Sequence, residues 1–139
     1  MKIVTKADTA LAKMPLLYPT TRSARGAPQH RKIALPTHDG YCFEQVDQIL
    51  YLTADGNYTQ IYFKDGRQLL VCRTLAALEV SLNKYEQFVR VHRSHTINLH
   101  WLRRYVRGKG GYVILETGAT VNISATRKEG FMKALESFF

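Results

Sequence analysis

From residue 32 onward, apolar positions recur in short runs, most of them alternating, and turn-forming residues close each run. This pattern predicts a succession of β-strands. Ile33-Ala34-Leu35 and Tyr41-Cys42-Phe43 flank His38-Asp39-Gly40 and read as a hairpin. Ile49-Leu50-Tyr51-Leu52 is apolar without a break, as a central strand covered on both faces would be. Asp55-Gly56-Asn57 then supplies turn chemistry before a strand from Tyr58 to Phe63. Lys64-Asp65-Gly66-Arg67 makes the next hairpin turn before Gln68 to Cys72. Further strands are expected at Val89–Val91, Thr96–Leu99, Arg103–Val106, Tyr112–Leu115 and Ala119–Ile123, separated by Gly108-Lys109-Gly110-Gly111 and Gly118.

Only two stretches carry helical spacing. Thr74 is placed to cap a helix with Leu75, Leu78 and Leu82 on one face, ended by Asn83-Lys84. Ser124 is placed to cap a last helix with Phe131, Ala134, Leu135 and Phe138 on one face. The fold class is therefore mostly β with two helices, in one domain over residues 32–139. Residues 1–31 read as a flexible N-terminal extension. Its short apolar stripe (Ile3, Ala7, Ala10, Leu11, Met14) is cut by Pro15, Pro19, Gly26 and Pro28. Docking on a regulatory protein partner is the other use such a segment could have.

Composition narrows the function. With 139 residues and 45% hydrophobic content, the chain suits one globular core. Its net charge of +9 fits a polyanion partner. Six Lys/Arg against one Asp in residues 1–31 supply +5 of that, and fourteen basic against ten acidic residues supply the other +4. The domain itself is only mildly basic, so the position of its charges matters more than their sum. Cys42 and Cys72 each sit in an apolar strand-like run and are expected to be buried and reduced. No signal-peptide core or membrane-length apolar run occurs in the sequence, and a cytoplasmic protein is expected.

The charges cluster. Gln87 to Leu115 holds six Arg/Lys, three His and no acid. Within it, Phe-Val-Arg-Val-His-Arg-Ser-His-Thr-Ile-Asn (88–98) mixes a core pattern with cationic donors, as if a strand delivered hydrogen-bond donors to an anion. No helix–turn–helix, zinc-finger spacing or basic zipper is present, so the usual helical DNA readers are excluded on pattern.

These residues resemble a known family. Ile-Leu-Tyr-Leu-Thr-Ala-Asp-Gly-Asn-Tyr-Thr (49–59), the block at 88–98 and Ile-Ser-Ala-Thr-Arg-Lys (123–128) together look like a LytTR domain, covering roughly Lys32 to Phe139. The resemblance implies an elongated arrangement of small antiparallel sheets with intervening helices. It also implies a bacterial transcriptional regulator that reads the major groove of double-stranded DNA through loops and needs no cofactor. Relatives usually follow a receiver domain, for which the extension is too short, so a stand-alone regulator is expected. Binding to direct repeats, with two copies pairing on the DNA, is implied as well.

By that resemblance the base contacts fall to Asn57 and Thr59 in the first loop, Arg93 in the second, and Thr126 or Arg127 at the start of the last helix. Many relatives carry Arg or Lys directly after the Ser of this third block, whereas this chain has Ala125. The chemistry of these residues agrees. Arg93 offers a planar fork for guanine O6 and N7. His92, Ser94, Ser124 and Lys128 can bond phosphate oxygens, as can Arg103, Arg104, Arg107 and Lys109. Tyr58, Tyr62 and Trp101 are expected in the core. Three other functions are conceivable for such residues. Single-stranded DNA or RNA binding would use aromatic stacking, but the aromatic spacing is that of a β core. A metal-dependent enzyme on His92, His95 and His100 is disfavoured, because residues three apart in a strand tend to face opposite sides and no HExxH motif or acidic cluster completes a site. The third is a partner-binding module with this fold and weak DNA affinity, which Ala125 leaves open.

Overall fold

A computed structural model describes residues 31–139. The expectations for residues 1–30 lie outside the described residues. The compact unit Lys32–Phe139 is built from three antiparallel sheets and two helices. Strands β1 (Lys32–Thr37) and β2 (Gly40–Gln45) form the first hairpin. A five-stranded sheet follows, from β3 (Ile49–Asp55), β4 (Tyr58–Phe63), β5 (Gln68–Val71), β6 (Phe88–His92) and β7 (His95–Asn98), in the order β5-β4-β3-β7-β6. The third sheet joins β8 (Leu102–Val106), β9 (Tyr112–Leu115) and β10 (Thr120–Asn122). Helix α1 (Leu75–Leu82) links β5 to β6, and α2 (Lys128–Phe138) ends the chain.

The unbroken apolar run in β3 has a direct cause: this strand feeds two cores. Ile49 and Leu52 pack with Leu35, Ile61, Phe63, Val71, Leu75 and Leu78 under α1. Leu50 packs instead with Val91, Ile97, Leu99, Val113, Val121 and Phe131 under α2. A register shift between Ile49 and Tyr51 brings Ile49 and Leu52, three residues apart, into the same core while Leu50 faces the other. Leu50 is 3% exposed, so each face of the central strand is closed by a separate layer.

One buried polar residue fixes how these layers meet. Asn98, fully buried, donates from Nδ2 to the Ile49 carbonyl at 2.9 Å. Its Oδ1 accepts from the His100 amide at 2.9 Å and from Gln87 Nε2 at 3.3 Å. Gln87 Nε2 also donates to Asp47 Oδ1 at 3.0 Å, and Trp101 Nε1 donates to the Asp47 carbonyl at 2.7 Å. The network pins the end of β7 to the start of β3, the two strands that must share one register.

Three local expectations need correction. Cys72 is exposed, because the chain leaves β5 at Val71 and turns toward α1; Cys42 is half-buried, and both thiols are free. Tyr58 is 47% exposed, since it starts β4 at the open end of the sheet. Ser124 does not cap α2. It precedes a 3-10 turn at Ala125–Arg127, its hydroxyl lies 3.3 Å from the Thr126 hydroxyl, and α2 begins at Lys128. Thr74 does cap α1, its side chain accepting from the Ala77 amide at 3.2 Å.

Asn98→Ala should cost about 3 kcal/mol, because it strands the Ile49 carbonyl and the His100 amide without their side-chain partner and takes one of two acceptors from Gln87, which keeps Asp47. Urea unfolding measures this. A loss under about 1 kcal/mol, the worth of one ordinary hydrogen bond, would show that the strand register is held elsewhere.

Candidate nucleic-acid interface

The antiparallel order brings five chain segments to one end of the five-stranded sheet. Asp55 pairs with Tyr58, Thr59 with Val71, Thr53 with His95 and His92 with His95. The β3–β4 turn, the β6–β7 turn and the exit from β5 therefore share that end. Two backbone bonds hold the arrangement: the Ala54 amide donates to the Ser94 carbonyl at 2.8 Å, and the Ser124 amide donates to the Val91 carbonyl at 2.9 Å. The second of these draws the start of the α2 segment to the same edge.

The β8–β9 loop joins it. The Ile123 amide donates to the Gly111 carbonyl at 3.0 Å, and a Cβ on Gly110 would sit 2.1 Å from the Ile123 carbonyl oxygen. Only glycine permits that approach, which places the loop holding Arg107 and Lys109 against Ser124 and Ala125. Asn57, Arg93, Thr126, Arg107 and Lys109 are exposed, while Ser94, Ser124, Arg127 and Lys128 are half-buried. The three predicted loops thus lie side by side. Arg103 and Arg104 are exposed on β8, with Arg104 opposite Ile114 in mid-strand, and no contact among the described residues ties them to this edge.

The β6–β7 turn is stiffened from within. Arg90 Nε donates to the His92 carbonyl at 3.0 Å, and its Nη2 donates to the Arg93 carbonyl. Its Nη1 donates to Glu79 Oε1 of α1 at 2.7 Å. The Ser94 amide donates to His92 Nδ1 at 3.1 Å, so the neutral His92 ring carries its proton on Nε2. The Arg93 side chain takes no part in this web, and the residue is exposed. Sequence reading missed Arg90, whose partner lies on another element.

Two expectations fail on geometry. Thr59 is fully buried and donates its hydroxyl to the Arg73 carbonyl at 2.8 Å, so a base contact is not open to it. Its phase on β4 is that of Ile61 and Phe63, which was the available signal. What Thr59 does is fix Arg73, an exposed cation at the same sheet end. His92 and His95 do not face opposite sides. A two-residue turn separates them, and their rings meet across the hairpin with centroids 5.1 Å apart. No group of three metal-ligating side chains occurs among the described residues.

Electrostatics separates two sets of cations. Arg67 is paired with Glu44 and Asp65, and Arg90 with Glu79. Arg73, Arg93, Arg107, Lys109, Arg127 and Lys128, all on the edge just described, have no acid partner among the described residues. Arg127 and Lys128 also stand at a helix start, where the dipole disfavours cations. An edge built this way holds unspent positive charge for an anion.

The comparisons agree with this geometry. Residues 39–136 match the family model of the LytTr DNA-binding domain, and the chain belongs to that family. It is 37% identical over 100 residues to the CO-responsive transcriptional regulator RcoM of Rhodospirillum rubrum, which covers 70% of this chain and 42% of that protein. The chain thus matches less than half the length of that relative. A solved LytTr DNA-binding domain from Bacillus cereus superposes with a TM-score of 0.64 at 20% identity, covering 76% of this chain and 96% of that one. The mostly-β class with small antiparallel sheets is the fold of this family.

Burial, and secondly the neighbouring His92 ring, holds the His95 pKa below the ordinary histidine value. The unfolded chain then binds the proton more readily than the folded one. The contribution of a neutral His95 is complete above the unfolded pKa of about 6.5 and is lost as pH falls below it. Urea midpoints should therefore drop between pH 7.5 and 5, and His95→Asn should flatten that slope. An unchanged slope in the variant would assign the acid sensitivity to another group.

Proposed function

We propose that this domain binds double-stranded DNA sequence-specifically, as the DNA-binding part of a transcriptional regulator, and reads the major groove with turns in place of a recognition helix. The observation that carries this is the gathering, on the edge where the turns meet, of six cations without an acid partner among the described residues. The dimensions suit it. Five strands at about 4.8 Å span ~19 Å from β5 to β6, roughly six base pairs at about 3.4 Å each. The Ser124–Lys128 segment and the β8–β9 loop extend the edge further.

Within this reading Arg93 bonds a guanine bidentately, Asn57 reads from the first turn, and Thr126 or Arg127 reads at the third. His92 Nε2, the Ser94 and Ser124 hydroxyls, Lys128, Arg107 and Lys109 bond phosphates, and Arg73 joins them. Arg103 and Arg104 contribute at longer range. Each domain occupies one of two direct repeats, and pairing is made on the DNA. A cytoplasmic protein, with a regulatory partner acting through residues 1–31, completes the reading. The single-stranded alternative is the weaker one, because Tyr51 and Tyr62 stack on each other at 4.4 Å instead of presenting free faces.

Arg93→Ala should weaken binding to a duplex recovered by in-vitro selection by about 1–3 kcal/mol and relax preference at one base pair. Equal losses on selected and random duplexes would make Arg93 a phosphate contact.

The double change Arg127→Ala, Lys128→Ala should lower affinity for all duplexes and flatten the log-affinity against log-salt slope by roughly 1–2 units. Ala125→Arg should tighten binding. An unchanged salt slope in the double variant would place this segment off the DNA.

A further inference from the structure

Arg90 is the one arginine of the 88–98 block that does not face solvent, and its three donors go to three different places. Nε and Nη2 take the carbonyls of His92, the last residue of β6, and Arg93, the first of the turn, and Nη1 takes Glu79 on α1. Its side chain is 13% exposed and that of Glu79 is 38% exposed. The residue therefore lies too deep for a long-range phosphate contact, and its bonds clamp the peptide units that aim Arg93.

The clamp is not held by packing alone. A pocket of about 30 Å³ lies beside it, lined by Glu79, Leu82, Asn83, Phe88, Arg90 and Thr96. The Thr96 hydroxyl is buried there without a partner among the described residues. With open space on one flank, the guanidinium keeps its angle through the Glu79 carboxylate. A lysine could keep the charge at this position, but a single ammonium cannot hold two carbonyls and a carboxylate in the fixed fork of a guanidinium.

We propose that Arg90 is a positioning residue for sequence recognition: it sets the angle at which Arg93 meets the base edge, and Glu79 makes helix α1 part of the reading apparatus. This rests on the reading that the β6–β7 turn contacts bases. A bidentate contact tolerates little rotation, so a loosened turn would lose discrimination before it loses general affinity. The total cation count facing the phosphates stays the same.

The test uses the full chain, the selected duplex and a random duplex of equal length at several salt concentrations. Arg90→Lys should lower affinity for the selected duplex about tenfold or more, within the discrimination of one bidentate contact. Affinity for random duplex should stay within about twofold and the salt slope should not change. Glu79→Gln, at a half-exposed position, should shift the same ratio in the same direction with a smaller amplitude and an unchanged melting temperature. A parallel fall on both duplexes with a salt slope reduced by about 0.9 would overturn the proposal, because Arg90 would then itself be a phosphate contact. An unchanged specific-to-random ratio in Glu79→Gln would also overturn it, whatever the stability of Arg90→Lys. Arg93→Ala, run alongside, separates the two ideas. If Arg93→Ala relaxes specificity and the Arg90 and Glu79 variants do not, only the positioning role fails; if Arg93→Ala leaves specificity intact, the reading of bases by this turn fails.

Discussion

The pairing of β3 with β7 is the constraint on which the rest of this domain depends. It is pinned at both ends, by the Asn98 amide on the Ile49 carbonyl and by the Ala54 amide on the Ser94 carbonyl. Sheet side chains alternate faces, so a slip of one residue would turn Ile97 out of one core and expose its neighbours. The same slip would carry the Arg93 turn away from the β3–β4 turn. Stability and recognition geometry are thus written into one register. A buried amide suits the task, because it is satisfied in only one alignment and each misalignment leaves polar groups stranded.

This arrangement also explains why a mildly basic domain can serve a polyanion. Its paired cations, Arg67 and Arg90, sit behind the interface and fasten turns to neighbouring elements. Six cations without an acid partner among the described residues gather on a single edge. In the order β5-β4-β3-β7-β6 the β3–β4 and β6–β7 turns are centred two strand repeats apart, about 9.6 Å, close to three base-pair steps of about 3.4 Å. In the proposed reading the two turns therefore address non-adjacent base pairs, and phosphate contacts between them set the register.

Most of the fold was legible because its signals are local. Period-two alternation, Asp-Gly and Lys-Asp-Gly-Arg turns and two helical stripes each declare themselves within a few residues. The site was legible only in part. Asn57, Arg93 and the Ser124–Lys128 segment come to one sheet end, but Thr59, expected at a base, is buried in phase with Ile61 and Phe63. The two-residue turn at Arg93-Ser94 carries no glycine, so nothing announced that His92 and His95 would meet. Arg90 and Arg73 could not be recognised from the chain, since their roles arise from Glu79 and Thr59 across the fold.

In the proposed reading DNA lies along the edge where the turns meet. The most direct measurement is an amide chemical-shift titration of the 15N-labelled protein with the selected duplex. The account predicts the largest shifts at Asp55–Asn57, Arg73, Arg93-Ser94, Arg107–Lys109 and Ala125–Lys128, with the β1–β2 hairpin unmoved. Shifts centred on Tyr41 and Phe43 of that hairpin, or on Leu70 in β5, would contradict it.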